Sequence, residues 1–473
     1  MPLEIAFIAL VLLICFYMLW NIGANDVANA IGTSVGSGSL SMKKAIFIAA
    51  VFEFCGAAFF GSHVSKTIQS GIIDTTDFIQ DPNVIIIGMM SALLATSLCL
   101  QGANIKGWPI STTHSIVGSI IGFGIIAAGV GAVQWGVILT VLSSWFISPV
   151  ISAILAFLFF KVVQKYILFS SHPILMTKRI FPFFLFVVIF TFSTTFFSGR
   201  MGGTTPYLYG LGCAILGLIA GYIFMRFYKP KALLDAEEDS LHQQKLLSLQ
   251  EALKNLKVAK LFASELESEE YQRLLDHTKQ LTRDVRKKSN IRPHLTHGYD
   301  VVEKLISYLQ IFSACGVAFG HGANDVANAI GPVAAIFSIY ANPSNDLSQT
   351  QVPLWLLVFG GFGIVIGLAT YGWKVIETIG KKITELTPSR GFCAEFGAAA
   401  TILVASKIGL PISTTHCLVG AVLGVGFARG LAALNLNMIK GIAFSWLVTV
   451  PSSAIICMGI YLVFDFIARQ FIL

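Results

Sequence analysis

The sequence predicts an all-α integral membrane protein of about twelve transmembrane helices, arranged as two inverted-topology repeats with broken or re-entrant helices. Three observations predict it. Charge is scarce: of 473 residues 12% are charged and 55% hydrophobic, where a soluble domain carries roughly a quarter charged residues. Apolar runs come in lengths near that of a bilayer-crossing helix, and mean hydropathy is +0.75. Finally, the string GANDVANAIG stands at Gly23–Gly32 and again, unchanged, at Gly322–Gly331.

Taken in order, runs near 4–20, 44–61, 84–101, 111–129, 135–160, 180–198 and 207–228 read as spans. After a polar stretch come 302–319, 352–373, 393–408, 412–430 and 439–467. The first run has Glu4 where a signal peptide would be basic and continues into the first motif copy, so it reads as a retained span. Residues 1–160 form an N-terminal membrane repeat, 161–228 an additional transmembrane pair, 229–300 a polar insert and 301–473 a C-terminal membrane repeat. The insert has apolar residues at helical spacing in LLSLQEALKNLKVAKLF, then the charge-balanced ELESEEYQRLLDHTKQLTRDVRKK. It reads as a cytoplasmic helical hairpin and not as a basic surface for nucleic acid. With the N-terminus outside, Lys43, Lys44, Lys106, Lys161, Lys165, Lys178, Arg179, Lys374, Lys381, Lys382 and Arg390 fall inside, while Lys66 and Arg200 fall outside. That bias puts both termini on the outer face of the cell membrane. The net charge of +7 fits it without a nucleic-acid partner, and the eight cysteines, scattered singly, show no metal-ligand spacing.

The repeat extends beyond one string. PISTTHSIVGSIIGFG (Pro109–Gly124) returns as PISTTHCLVGAVLGVG (Pro411–Gly426), and Trp145 with Pro149 returns as Trp446 with Pro451. A weaker pair is VSKTI (Val64–Ile68) and KVIETI (Lys374–Ile379). Duplicated membrane halves are a transporter signature, and an odd number of spans before the second copy would invert it, bringing both motif pairs to one midplane.

An acid within a span costs at least about 2.5–3.5 kcal/mol and marks function. Nearly half of the 25 acids lie in the insert; those within or beside apolar sequence are Asp26, Glu53, Asp325, Glu395 and, near the far end, Asp465. Asn25, Asp26 and Asn29, repeated as Asn324, Asp325 and Asn328, put carboxylate and amide oxygens within about one turn, a set suited to sodium. The bland alternative, polar residues gluing helices together, explains one copy as well as a site does, but two identical copies less well. Asn21 and Gly23 lower helix propensity, so a break is expected there, freeing backbone carbonyls. PISTTH reads as a helix start with Ser111, Thr112 and Thr113, repeated as Ser413, Thr414 and Thr415, at the N-terminus. Helix N-termini bind anions, and hydroxyls add donors without full charge; two such ends would converge on one tetrahedral oxyanion. Against this stands hydroxyl back-bonding to the helix carbonyls. His114 and His416 follow, as donors or as packing groups. His321 has no partner in the first copy, and Glu53 and Glu395 align near Ile364 and Leu93; unpaired polar groups in a symmetric scaffold are candidates for coupling or gating.

GANDVANA and PISTTH, each in both halves, resemble the inorganic phosphate transporter (PiT) family, over everything but the insert. The resemblance implies import of inorganic phosphate by symport with sodium or protons, through alternating access, as a homodimer, with the coupling ion and no other cofactor. It implies that Asp26 and Asp325 with their neighbouring Asn serve the cation and that the two STT groups hold phosphate. Glu53 and Glu395 match positions important for transport in the family. Some members move sulfate, which keeps another tetrahedral oxyanion open. An enzyme is the distant alternative: GTSVG (Gly32–Gly36) matches G-x-S-x-G, but without the strand–turn–helix setting, and its counterpart GPVAA has no serine.

Overall fold

The computed structural model describes residues 2–73, 78, 81–108, 110–199, 201–227, 231–288, 297–341, 351–372, 386–430 and 436–471. Among them are sixteen α-helices: α1 (Pro2–Gly36), α2 (Met42–Phe60), α3 (Ser62–Ser70), α4 (Pro82–Lys106), α5 (Thr112–Ala128), α6 (Trp135–Val163), α7 (Pro173–Ser198) and α8 (Thr205–Phe227). Then come α9 (Lys231–Leu261), α10 (Glu265–Lys288), α11 (His297–Asp325), α12 (Ala327–Ala341), α13 (Leu354–Tyr371), α14 (Pro388–Lys407), α15 (Thr414–Arg429) and α16 (Leu436–Phe471). The chain is a multi-span, all-helical membrane protein.

Eight helical stretches are long and apolar enough to cross a membrane, nine if α2 and α3, bent by 60°, form one span. The expected twelve exceeded this because three apolar runs are not full spans among the described residues. The helices at 111–129 and 412–430 are only 17 and 16 residues long, and 393–408 lies in α14, a 20-residue helix that falls outside the set. Both short helices start at a serine cap in the buried interior, so apolarity there signals burial within the bundle.

The motif copies differ in backbone despite their identity. The expected break in the first copy is absent: α1 runs unbroken through Asn21 and Gly23. In the second copy the helix is interrupted at Val326, between α11 and α12. Gly23 serves close approach instead, since a Cβ there would collide with the carbonyl oxygen of Ile364 in α13. Equal sequences with unequal breaks place the cause in tertiary surroundings, which override propensity.

Packing between the halves is reciprocal. α1 lies on α13 and α2 on α11; α5 lies on α16 and α15 on α6. Small residues let these backbones touch. Gly23 faces Ile364 while Gly322 faces Glu53, and Gly122 faces Ala454 while Gly424 faces Ala153. This pairing bears out the sequence alignment of Glu53 with Ile364. One end of the bundle gathers Thr67, Tyr207, Lys407 and Gly409. Other contacts link Leu168 with Tyr299, Glu303 with Ser389, and Lys161 with Ala428.

Helices α7 and α8 pack along each other, with α7 also against α11. The insert forms the helices α9 and α10, which pack together. At the start of α10 the backbone N–H and hydroxyl of Ser264 both donate to Glu267, at 2.9 and 2.6 Å, holding that carboxyl below its usual range. The pair Lys374–Ile379, the basic positions Arg200, Lys374, Lys381 and Lys382, and Pro109 lie outside the described residues.

Candidate ion and anion site

Two capped helix starts lie side by side. Ser111 and Ser413 have extended backbones, and each side chain accepts the N–H three residues on, His114 or His416, at 3.2 Å. The expected N-caps are therefore real. His114 and His416 meet edge to face with ring centroids 4.3 Å apart, and His114 stacks on Trp145 at 3.7 Å. Trp145 Nε1 donates to the Pro411 carbonyl at 3.0 Å, and Thr113 Oγ1 to that of Ile412 at 2.9 Å. The two starts are thus stitched together, with the histidines packed at the seam.

Each acid–amide cluster meets the hydroxyls of the opposite half. Asn29 Nδ2 donates to Asp26 Oδ1 (2.7 Å) and to Thr415 Oγ1 (2.8 Å), and Thr415 Oγ1 donates in turn to Asp26 Oδ1 at 3.3 Å. Asn328 Nδ2 lies 3.2 Å from Asp325 Oδ1 and 3.2 and 3.3 Å from the hydroxyls of Thr112 and Thr113. Asp325 also accepts from Thr113 (3.4 Å) and Thr414 (2.7 Å). All these groups are buried.

Asn25 and Asn324 hold the approaches to the helix starts. Asn25 Nδ2 donates to Asn104 Oδ1 (2.6 Å) and to the Trp108 carbonyl (3.2 Å). Asn324 Nδ2 donates to Ser406 Oγ (3.1 Å) and to the Leu410 carbonyl (3.2 Å). Every motif amide nitrogen is thereby used, whereas the Oδ1 atoms of Asn25, Asn29, Asn324 and Asn328 are buried and accept no hydrogen bond from the described residues. Buried oxygens without donors cost free energy unless a cation takes their lone pairs. Oxygen donors of this kind fit a hard cation.

His321 links the carboxylates. Its Nε2 lies 3.0 Å from Asp325 Oδ2 and 3.9 Å from Asp26 Oδ2, and its Nδ1 3.3 Å from Glu53 Oε1, all fully buried. Asp26, His321 and Asp325 can bring ligand atoms within 4.8 Å of one another. Glu395 occupies a different place from its sequence companions Glu53 and His321. It accepts from Thr33 and Ser34 (both 2.6 Å), Gln310 (3.0 Å) and Ser313 (2.7 Å), which tie the end of α1 to α11 and α14. Gln310 Oε1 in turn accepts from Ser37 at 2.7 Å and from Ser39 at 2.5 Å.

Sequence reasoning had missed this cage, together with Ser406 and with Asn104, whose Nδ2 donates to Asn21 Oδ1 at 3.1 Å. Asn104 and Ser406 precede Ser111 and Ser413 by equal intervals in apolar sequence, a signal that could have found them. Ser34, the residue behind the enzyme alternative, lies within a continuous helix and donates to a carboxylate, so it has no nucleophile elbow.

Residues 22–457 match the family model described as the phosphate transporter family. The chain is 40% identical over 449 residues to the inorganic phosphate transporter 2-1, chloroplastic, of Arabidopsis thaliana, covering 94% of this chain and 70% of that one. A solved structure, the sodium-dependent phosphate transporter, superposes with a TM-score of 0.79 at 35% identity, covering 98% of this chain and 100% of that chain. With family and fold in agreement, this is a transporter and not an enzyme: the chain belongs to the phosphate transporter family.

Proposed function

We propose that this transporter imports inorganic phosphate together with sodium, by alternating access about the paired clusters. The crossed arrangement carries the proposal: each Asp/Asn cluster is hydrogen-bonded to threonines of the other half's helix start. The amide and carboxylate oxygens of Asn25, Asp26, Asn29, Asn324, Asp325 and Asn328 hold the cation. Ser111, Thr112, Thr113, Ser413, Thr414 and Thr415 hold phosphate at the N-termini of α5 and α15. As described, the threonine hydroxyls donate to Asp26 and Asp325. A cation on the motif oxygens neutralises those carboxylates and frees the hydroxyl protons to turn toward a polyanion, so each ion lowers the cost of seating the other. His321 and Glu53 adjust the charge between the clusters, and Glu395 fastens one end of the bundle. Sodium, rather than protons, is favoured by the amide oxygens without donors, which bind metal ions but not protons near neutral pH, and by the sodium dependence named for the similar structure.

The reciprocal packing of α1 on α13 with α2 on α11 supports two inverted repeats. The remaining architecture follows the sequence reading: α7 and α8 as an added pair, α9 and α10 in the cytoplasm, both termini outside, and a homodimer. The test is uptake by the purified protein in liposomes, comparing phosphate with sulfate under separately imposed sodium and pH gradients. Phosphate uptake driven by sodium alone is expected; preference for sulfate, or drive by pH alone, would overturn substrate or coupling respectively. In the same assay Asp26→Ala should shift the sodium curve of uptake, and an unchanged curve removes Asp26 from coupling.

A further inference from the structure

We infer that the open depression lined by His63, Lys66, Thr67, Ser70 and Lys407 is an antechamber in the sense of a surface capture site, binding inorganic phosphate on the outer face before it enters the buried site. The inference rests on the import reading and its outward N-terminus. The cavity is about 390 Å³, room for an oxyanion with several waters at about 30 Å³ each. Its wall offers two ammonium groups, an imidazole and two hydroxyls, and no carboxylate. Neither lysine forms an ion pair among the described residues; Lys407 Nζ stands 5.9 Å over the Tyr207 ring. A neighbouring cavity of about 650 Å³ shares His63 and Lys66 and adds Ser62 and Gln351, so the basic pair stands where two openings meet.

The floor connects this cavity to the transport site. Ile408 and Gly409 line it, and Thr67 Oγ1 donates to the Gly409 carbonyl at 2.7 Å. Gly409 turns the chain at φ +73. The next three carbonyls, of Leu410, Pro411 and Ile412, accept from Asn324, Trp145 and Thr113, and Ser413 then caps α15. Segment 408–412 therefore runs from the depression to the buried helix start, and Gly409 and Ser413 are at most about 14 Å apart along the chain. Lysine suits a waiting position: a strongly hydrated point charge on a flexible stem attracts an anion without the fixed bidentate grip of arginine. The repeat also breaks symmetry here, for Lys66 in VSKTI stands where KVIETI has Glu377.

Two measurements on the full-length protein test this. The first labels lysines in cells with a membrane-impermeant acylating reagent, read by mass spectrometry, with and without inorganic phosphate. Labelling of Lys66 and Lys407 should fall several-fold with phosphate, while Lys44 stays unlabelled. Labelling indifferent to phosphate, or confined to Lys44, would overturn the antechamber whatever the transport assay gives. The second compares uptake by the Lys66→Gln/Lys407→Gln variant with the parent at fixed sodium. With each exposed charge contributing modestly, the KM for phosphate should rise roughly three- to tenfold at low ionic strength with maximal rate retained, and the gap should narrow with added inert salt. Lys66→Arg/Lys407→Arg should restore most of it. An unchanged KM in a folded variant refutes the inference while leaving phosphate import standing, whereas a parent chain that moves no phosphate refutes import itself.

Discussion

Thr415→Val is the sharpest perturbation of the proposed coupling. The substitution keeps the side-chain shape and removes one hydroxyl, which accepts from Asn29 at 2.8 Å and lies 3.3 Å from Asp26 Oδ1. A neutral hydrogen bond contributes about 1 kcal/mol and one to a carboxylate about 2 kcal/mol. In the loaded state the proton turns from Asp26 to phosphate while the bond to Asn29 is kept with and without ligand, so the loss is one hydrogen bond to an anion, about 2 kcal/mol, on the order of thirtyfold in affinity. Because the hydroxyl joins a cation cluster to an anion-binding helix end, the loss should appear in both ions: the phosphate KM rises, and more sodium is needed for half-maximal uptake. Thr415→Ser should retain most activity. The assay is liposome uptake over a grid of sodium and phosphate concentrations, completed by a double-mutant cycle with Asp26→Asn. A Thr415→Val curve displaced along the phosphate axis alone, with no coupling to Asp26→Asn, would refute the link between the sites.

Three further outcomes follow from the packing and capping. Gly322→Ala drives a Cβ onto the carbonyl of Glu53 and should cost at least about 1–3 kcal/mol. Gly102→Ala, with open space around it, should be neutral or slightly stabilising; thermal unfolding in detergent with equal midpoints for the two would contradict the close crossing. Glu395→Ala strands Thr33, Ser34 and Gln310 at about 1–3 kcal/mol for each, Ser313 keeping the Gln310 carbonyl at 2.9 Å, so it should lower the unfolding midpoint more than Ser34→Ala, which removes one donor and should spare most uptake. Equal losses would dismiss the cage. Ser413→Ala removes a helix cap and should destabilise by about 1 kcal/mol, measured in the same way; no change would mean that the cap adds nothing to α15.

The polar residues of the candidate site were more legible in the sequence than the path of the backbone. Polar residues are costly in a bilayer, so Asp26 and Asp325 stood out, and the serine caps followed from local chemistry that the structure reproduces at Ser111 and Ser413. Partner choice was not legible, because whether Thr415 meets Asp26 or Asp325 depends on how two halves interleave, which no local pattern encodes. The continuity of α1 was misread for a related reason: Asn21 and Gly23 look like helix breakers in isolation, but Gly23 exists to admit the α13 backbone. Apolar runs at 111–129 and 412–430 passed for spans because burial in protein and exposure to lipid select the same side chains. Glu395 was visible as an unpaired acid, while its donors, drawn from α1 and α11, lie from 82 to 362 positions away from it in sequence.

The crossing of acids with the other half's hydroxyls also constrains origins. A polypeptide of half this length would own one acid–amide cluster and one helix start; a bond such as that of Thr414 to Asp325 could form within it, but those of Asn29 and Asp26 to Thr415 and of Asn328 to Thr112 and Thr113 could not. Only when a second copy docked against the first would these crossed bonds form, so on the proposed function coupling in such an ancestor begins with pairing, and fusion into one chain then makes that pairing permanent. Once fused, the two copies were free to diverge wherever the junction did not hold them, as His321 and Glu395, each present on one side alone, record.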